Sequence, residues 1–136
     1  MRILIVEDDP AGREVMRAMV SGFATADLAG NGVAGIQAFA RAIEENRPYD
    51  LVCIDILMPD KDGRRMLKDL RAIEEKKGIM LGDGAKVIMT TCLSDSKNIL
   101  GSFGDQCDGY LVKPIRKHAL LSLMARLGLA CSPGGT

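Results

Sequence analysis

Residues 49–63 read YDLVCIDILMPDKDG and give the strongest single indication of the architecture. Five of the six residues at 51–56 are apolar, which predicts a buried strand of a parallel sheet. The exception is Asp55, which stands near the end of this strand and just before the turn-forming residues MPDKDG. Ligands of open α/β sheets bind outside the carboxyl ends of the strands, so a carboxylate at this position predicts a functional site.

Length and charge restrict the class of protein. A chain of 136 residues suits one domain and buries about two-thirds of its unfolded surface, so folding requires neither disulfides nor a structural metal. Lys plus Arg and Asp plus Glu both number 18, and this balance argues against direct binding to nucleic acid or to an anionic membrane.

Cysteine spacing and hydropathy predict a reduced, cytoplasmic protein. The spacing of the four cysteines includes no C-x-x-C pair and suits neither a zinc site nor a small disulfide framework. They are predicted to be free thiols: Cys53, Cys92, Cys107 and Cys131. No basic-then-apolar signal segment opens the sequence, and no apolar run approaches the roughly 18 residues of a membrane span, so no membrane partner is expected.

Four further strands are predicted: apolar runs mark those over residues 3–6, 86–91 and 109–112, and residues 25–29 precede a Gly-Asn-Gly turn. Five helices are predicted between and after the strands. Asp9 and Pro10 are a typical N-cap and first residue for the first of them, whose apolar face includes Val15 and Met16 and which ends near residue 22. Strands that alternate with helices predict a doubly wound α/β fold with a parallel sheet.

The other four helices follow from apolar spacing and cap residues. The second is marked by apolar residues over 36–43 and extends to about residue 46, and the third begins at Gly63, with residues 74–77 as its solvated end. Ser94 is the predicted N-cap of a short fourth helix, and residues 120–127 supply the inner face of the last.

Polar residues stand at or just after the predicted ends of four of the five strands, and the carboxyl ends of parallel strands share one edge of a sheet. These residues are therefore expected to converge on one site: Glu7, Asp8, Asp55, Thr91 and Lys113.

With these motifs the chain resembles the receiver domain of two-component response regulators. The motifs are an acidic pair after the first strand, D-x-x-M-P-x-x-D-G around the third, Thr after the fourth, and G-Y-L-V-K-P at the fifth. Any one of them is weak, but together they are specific. The resemblance covers nearly the whole chain and implies a receiver domain over residues 1–130 with a flexible tail over 131–136. It also implies a flavodoxin-like sheet with strand order 2-1-3-4-5.

The resemblance implies that Asp55 accepts a phosphoryl group from a sensor histidine kinase or phosphotransfer protein, with Mg²⁺ as cofactor. Such a domain is a phosphoacceptor for signalling and not an enzyme, apart from its own phosphotransfer and autodephosphorylation. Asp8, Asp55 and the Leu57 backbone carbonyl would bind Mg²⁺, and Glu7 would bind it through water. Three acids stand in a row, so Asp8 and Asp9 are an alternative pair.

By the same resemblance, Lys113 supplies positive charge for the phosphoryl oxygens and is followed by a cis peptide bond to Pro114. Thr91, with Thr90 as the alternative, hydrogen-bonds the phosphoryl group in the switched state, and Tyr110 then turns inward. The switched surface, formed by the fourth helix, fifth strand and fifth helix, would bind an output protein, and phosphorylation-dependent homodimers are also expected.

Two alternative functions remain open. The chain is also consistent with the receiver part of a longer DNA-binding or enzymatic regulator. A phosphatase or dehalogenase with an Asp nucleophile ranks lower, because such enzymes require an acid two residues after the nucleophile and Leu57 stands there.

Overall fold

The protein is described by a computed structural model that covers residues 1–58, 62–80, 82–92 and 107–129. All pairings in its sheet are parallel, as the sequence pattern predicts, and the strand order is β2-β1-β3-β4-β5, as the family resemblance implies. The strands are β1 (Arg2–Val6), β2 (Thr25–Ala29), β3 (Leu51–Asp55), β4 (Lys86–Cys92) and β5 (Gly109–Lys113).

Helices cover both faces of the sheet, and four of them lie within the described residues: α1 (Pro10–Val20), α2 (Gly32–Glu44), α3 (Gly63–Lys76) and α4 (Lys117–Arg126). Asp9 caps α1 as predicted, because its carboxylate accepts a hydrogen bond from the Gly12 N–H at 3.2 Å. The predicted helix that begins at Ser94 and the tail over residues 131–136 lie outside the described residues. Helix α4 corresponds to the fifth helix of the sequence prediction.

An apolar layer packs on each face of the sheet. Alternate strand residues point to opposite faces, so Val52 and Ile54 pack on the side of α2 and α3, whereas Leu51 and Cys53 pack on the side of α1 and α4. The central strands β1 and β3 are buried on both faces, and Ile3–Val6 and Leu51–Ile54 are therefore continuously apolar up to the functional edge. Among the described residues, no helix combines the length and apolarity needed to cross a membrane.

The prediction for Val15 is wrong. Met16 and Val20, four residues apart, form the buried stripe of α1, whereas Val15 is 54% exposed. One residue turns a helix by about 100°, so Val15 lies beside this stripe and not on it. It lines the rim of a cavity of about 340 Å³ together with Pro114 and Ile115.

The prediction of a solvated end for α3 is wrong at Glu74, which is only 5% exposed. Its carboxylate accepts hydrogen bonds from the Arg71 guanidinium and from the Ala85 N–H, both at 2.8 Å. These partners compensate for the burial of the charge. The neighbouring acid, Glu75, is exposed as predicted.

Gly63 begins α3 directly against the end of β3, and we expect its replacement by Ala to destabilise the fold. A Cβ atom would lie 2.6 Å from the Asp55 carbonyl oxygen and 2.8 Å from the Ile56 Cα, and backbone atoms there cannot move aside independently. Overpacking of this kind costs about 1–3 kcal/mol of unfolding free energy, which urea denaturation can measure. Gly30→Ala is the matched control, because the Cβ at Gly30 meets only the end of the flexible Arg13 side chain. Equal losses in the two variants would contradict the prediction.

The cysteines differ in accessibility, which predicts a difference in reactivity. Cys53 is 3% exposed, and burial raises the pKa of its thiol to about 12, whereas Cys92 at the end of β4 is exposed. The thiolate is the reactive form, so iodoacetamide at about pH 8 should alkylate Cys92 in the native protein and Cys53 only after unfolding. Peptide mass spectrometry measures both sites, and Cys92→Ser removes the native-state signal at that position. Alkylation of native Cys53 at the rate of Cys92 would contradict the prediction.

Candidate functional site

Three acids meet at the carboxyl edge of the sheet. Glu7 and Asp8 directly follow β1, and Asp55 ends β3, the strand that pairs with β1. One carboxylate oxygen from each of the three lies within 4.8 Å of the other two. Glu7 and Asp55 are each 5% exposed, whereas Asp8 is exposed and faces solvent. The structure therefore brings together the three carboxylates that the sequence predicts to converge.

Lys113 ends β5 and reaches the same cluster. Its Nζ lies 3.0 Å from both carboxylate oxygens of Glu7 and 3.1 Å from Asp55 Oδ2. The Lys113–Pro114 peptide bond is cis, as the family resemblance implies. The ammonium group thus pairs with both buried carboxylates of the site.

The site has unusual electrostatics, because two carboxylates share one cation in a partly desolvated position. Burial, followed by the hydrogen bond and the charge of Glu7, raises the pKa of Asp55 to about 7, against the opposing effect of Lys113. Burial lowers the pKa of Lys113, but the hydrogen bonds and charges of Glu7 and Asp55 outweigh it and raise that pKa above its ordinary value. A further cation is therefore favourable here, since it would stabilise the ionised form of Asp55.

The donor set suits a hard divalent cation. Mg²⁺ prefers oxygen ligands, and in proteins it is usually held by one or two carboxylates while it retains several waters. Glu7, Asp8 and Asp55 offer such oxygens on one open edge. Asp9, the alternative member of the acidic pair, caps α1 with its carboxylate. The arrangement thus favours Glu7 and Asp8 over Asp8 and Asp9 as the pair.

Leu57 contacts the cluster through its backbone, and Tyr110 lies on β5, the strand that ends at Lys113. The Leu57 N–H donates to Asp55 Oδ1 at 3.3 Å, which fixes the second carboxylate oxygen, while the Leu57 side chain is 52% exposed. Tyr110, the predicted switch residue, is 43% exposed and so takes an outward position. The inward turn of Tyr110 stays a prediction.

The two threonines at the end of β4 are both 1% exposed, and each hydroxyl has a backbone acceptor. Thr90 Oγ1 donates to the Ile54 carbonyl at 3.5 Å, and Thr91 Oγ1 donates to the Cys92 carbonyl at 3.3 Å. Thr90 is the direct neighbour of Asp55 in the sheet, and Thr91 pairs with Val112 of β5. The role of Thr91 therefore stays a prediction.

The sequence interpretation missed Arg13, which lies in the first turns of α1. Its Nη1 donates to the Glu7 carbonyl oxygen at 2.9 Å and lies 3.5 Å from the Asp8 carbonyl oxygen. The available signal was a basic residue one turn into the helix that follows the acidic pair. Such a residue is ordinarily solvent-exposed, so the pattern alone did not distinguish it.

Known proteins with similar sequences are response regulators. The family model described as "Response regulator receiver domain" matches residues 3–125. The response regulator MprA of Mycobacterium sp. (strain KMS) is 32% identical over 135 residues, which are 98% of this chain and 53% of that protein. The probable transcriptional regulatory protein SilR of Salmonella typhimurium is 31% identical over 137 residues, and the match covers 100% of this chain and 53% of SilR. The chain thus spans about half the length of these relatives.

A similar solved structure is a response regulator receiver domain (CheY-like) from Methylobacillus flagellatus. It is 28% identical with a TM-score of 0.75, and the match covers 93% of this chain and 98% of that one. The match to the family model, the strand order and the acidic cluster with its lysine lead to the same assignment. The chain belongs to the response regulator receiver domain family.

Proposed function

We propose that this receiver domain accepts a phosphoryl group on Asp55 in a Mg²⁺-dependent reaction and that the phosphorylated form presents a changed protein-binding surface. The observation that supports this proposal is the convergence of Asp55 with two further acids and Lys113 on one sheet edge. A sensor histidine kinase or a phosphotransfer protein is the proposed donor. Catalysis by the chain is limited to its own phosphotransfer and autodephosphorylation.

Asp8, Asp55 and the Leu57 carbonyl are the proposed direct ligands of Mg²⁺, and Glu7 would bind it through water. When bound, Mg²⁺ supplies positive charge that offsets the repulsion between a carboxylate nucleophile and an anionic phosphoryl group. Among the residues that the structure describes, Lys113 is the one cation that pairs with the two buried carboxylates, and the resulting excess of negative charge favours this ion.

In the proposed transfer, a carboxylate oxygen of Asp55 forms a bond to phosphorus while the bond between phosphorus and the donor's leaving group breaks. Asp55 Oδ2 faces Lys113 Nζ at 3.1 Å, and Oδ1 accepts from the Leu57 N–H at 3.3 Å. The carboxylate is thus held in one orientation before the reaction. Lys113 also lies close enough to contact oxygens of the incoming phosphoryl group.

The proposed switch joins Asp55 to the surface of β5 and α4. After phosphorylation, Thr91 donates its hydroxyl to the phosphoryl group instead of to the Cys92 carbonyl, and Tyr110 turns from its outward position into the space that this movement leaves. Phosphorylation adds nearly two negative charges, and coupling of about 1–3 kcal/mol is enough to change partner affinity 5- to 150-fold. An output protein, or a second copy of the chain, would bind this face with a different affinity after phosphorylation.

A second proposal is that the domain works as the receiver part of a longer regulator. MprA is about twice as long as the matched region, and so is a relative named "DNA-binding response regulator MtrA", from Mycolicibacterium smegmatis. In such a regulator the same phosphorylation would act on an attached output domain. The sequence of the complete gene distinguishes the two proposals.

Intact-mass spectrometry after incubation with a small phosphodonor such as acetyl phosphate tests the proposed function. We expect one added phosphoryl group per chain in the presence of Mg²⁺ and none when EDTA removes it. A folded, Mg²⁺-binding protein that gains no mass would contradict phosphoacceptor function and favour a receiver regulated by binding alone.

Lys113→Ala is expected to slow phosphoryl uptake. The variant loses the ammonium that pairs with Glu7 and Asp55, and removal of one such stabilising donor typically costs about 10²–10³ in rate. Time courses of phosphoryl uptake measure the effect. Lys117→Ala is the matched control, since Lys117 is an exposed lysine at the start of α4. Equal rates in both variants would remove Lys113 from the proposed mechanism.

A further inference from the structure

The β1–α1 loop carries two of the three acids, and one side chain of α1 holds its backbone. We propose that Arg13 is a positioning residue that fixes the carbonyls of Glu7 and Asp8 and so directs both carboxylates toward Asp55. Its Nη1 lies 2.9 Å from the Glu7 oxygen and 3.5 Å from the Asp8 oxygen. This role rests on the Mg²⁺-dependent function proposed above.

The peptide groups of Glu7 are held from two directions. Its N–H donates to the carbonyl of Ala29, the last residue of β2, at 3.1 Å, and its carbonyl accepts from Arg13. With both backbone groups fixed, the side chain extends toward Lys113, which it meets at 3.0 Å through both oxygens. A site that binds an ion requires its donors within about 0.5 Å of the productive geometry, and these contacts supply that constraint.

Gly30, at the end of β2, provides the space that Arg13 occupies. A Cβ atom at Gly30 would lie 2.8 Å from Arg13 Nη1 and 3.6 Å from Arg13 Cζ, with no other heavy atom among its close contacts. The backbone of Gly30 is outside the left-handed region, so conformation alone does not require glycine. The guanidinium, which is the flexible end of a side chain, is therefore the group that alanine at this position would displace.

Charge and geometry predict opposite effects of Arg13 on a cation. A guanidinium near the loop repels Mg²⁺, so a role through charge alone would make binding tighter when Arg13 is removed. A role through positioning makes binding weaker when Arg13 is removed. Arg13→Lys also separates the two roles, because lysine retains the charge but lacks the planar guanidinium with its several donors. A role through charge predicts unchanged Mg²⁺ binding in this variant, and a role through positioning predicts weaker binding.

The test measures the Mg²⁺ dissociation constant of the full chain by isothermal titration calorimetry, without phosphodonor. We expect about 10-fold weaker binding for Arg13→Ala, because loss of a partner that orients a metal ligand typically costs 10- to 100-fold in affinity. Arg13→Lys should recover only part of the loss. Arg17→Ala is the charge-matched control, since Arg17 lies one turn further along α1 and pairs with Glu14 on the exposed surface. Urea denaturation without Mg²⁺ reports the stability of each variant separately.

Gly30→Ala tests the same contact from its other side and does not remove any ligand. It should weaken Mg²⁺ binding in the wild-type background and have no further effect in Arg13→Ala. Unchanged or tighter binding in Arg13→Ala, or a Gly30→Ala effect that persists without Arg13, would overturn the proposal. A folded wild-type chain that binds no Mg²⁺ would overturn the proposed function itself, and the two failures are therefore distinguishable.

Discussion

Replacing Asp55 with Asn is expected to abolish phosphoryl uptake while the protein remains folded. The amide has nearly the shape of the carboxylate, and its oxygen can still accept from the Leu57 N–H. It is not a competent nucleophile, however, and it removes one anionic ligand from the acidic cluster. Lys113 retains Glu7 as its partner, so no buried charge is left alone. Intact mass after incubation with acetyl phosphate and Mg²⁺ should show no adduct.

Asp9→Asn is the matched control for this prediction. Asn caps helices as well as Asp does, so α1 keeps its N-terminal cap. If Glu7 and Asp8 form the functional pair, this variant takes up the phosphoryl group at close to the wild-type rate. A strong loss in Asp9→Asn would instead assign the pair to Asp8 and Asp9. An adduct that persists in Asp55→Asn would identify a different acceptor.

The sheet and the convergence of its acids are predictable because both follow from local patterns. The central strands β1 and β3 are buried on two faces, so each appears as a short apolar run that ends at a carboxylate. Parallel strands connected by helices place all their carboxyl ends on one edge. Knowing which residues end the strands is therefore sufficient to bring Glu7, Asp55 and Lys113 together, although they are up to 106 residues apart.

The choice between Thr90 and Thr91 as the residue that contacts the phosphoryl group is harder to predict from the sequence. Val87 and Met89 pack on one side of the sheet and Ile88 on the other, so the middle of β4 is a continuous apolar run that shows no alternation between the two sides. Thr90 and Thr91 then differ only by register. The contact between Arg13 and the Glu7 carbonyl is also invisible in the sequence, because it depends on how α1 folds back over the loop that precedes it.

At Glu74 two sequence signals disagree: helical spacing indicates a buried position, whereas the charged run that contains it indicates an exposed one. It lies four residues after Leu70 and seven after Leu67, both buried, so helical spacing places it on the inner face of α3. The charged run over residues 74–77 suggested a solvated end instead. Glu74 can be buried because its carboxylate accepts hydrogen bonds from the Ala85 N–H, just before β4, and from the Arg71 guanidinium.

These partners form a network that joins α3 to the starts of two strands. Arg71 pairs with Glu74 at 2.8 Å and with Asp108 at 3.1 Å, and it also donates to the Ala85 carbonyl at 2.8 Å. Asp108 Oδ2 in turn accepts from the Val87 N–H at 2.8 Å. The network lies at the amino ends of β4 and β5, far from the acidic cluster along the strands. Its loss should therefore change stability and leave phosphoryl transfer to the remaining folded protein unchanged.

Glu74→Ala is expected to lower the free energy of unfolding by about 1–3 kcal/mol, the usual cost of leaving a buried hydrogen-bonding group without its partner, since Arg71 keeps Asp108 as an ion-pair partner. The Ala85 N–H loses its acceptor and the Arg71 guanidinium, whose side chain is 13% exposed, loses its nearest carboxylate. Domains of this size have about 5–15 kcal/mol in total, so the shift in urea midpoint should be large. Glu75→Ala removes the same charge from the exposed side of the same turn, and its expected cost is below about 0.5 kcal/mol. Equal stabilities for the two variants would show that the buried contacts of Glu74 contribute nothing to folding, whereas a lower stability of Glu74→Ala alone would show that these contacts stabilise the packing of α3 against the start of β4.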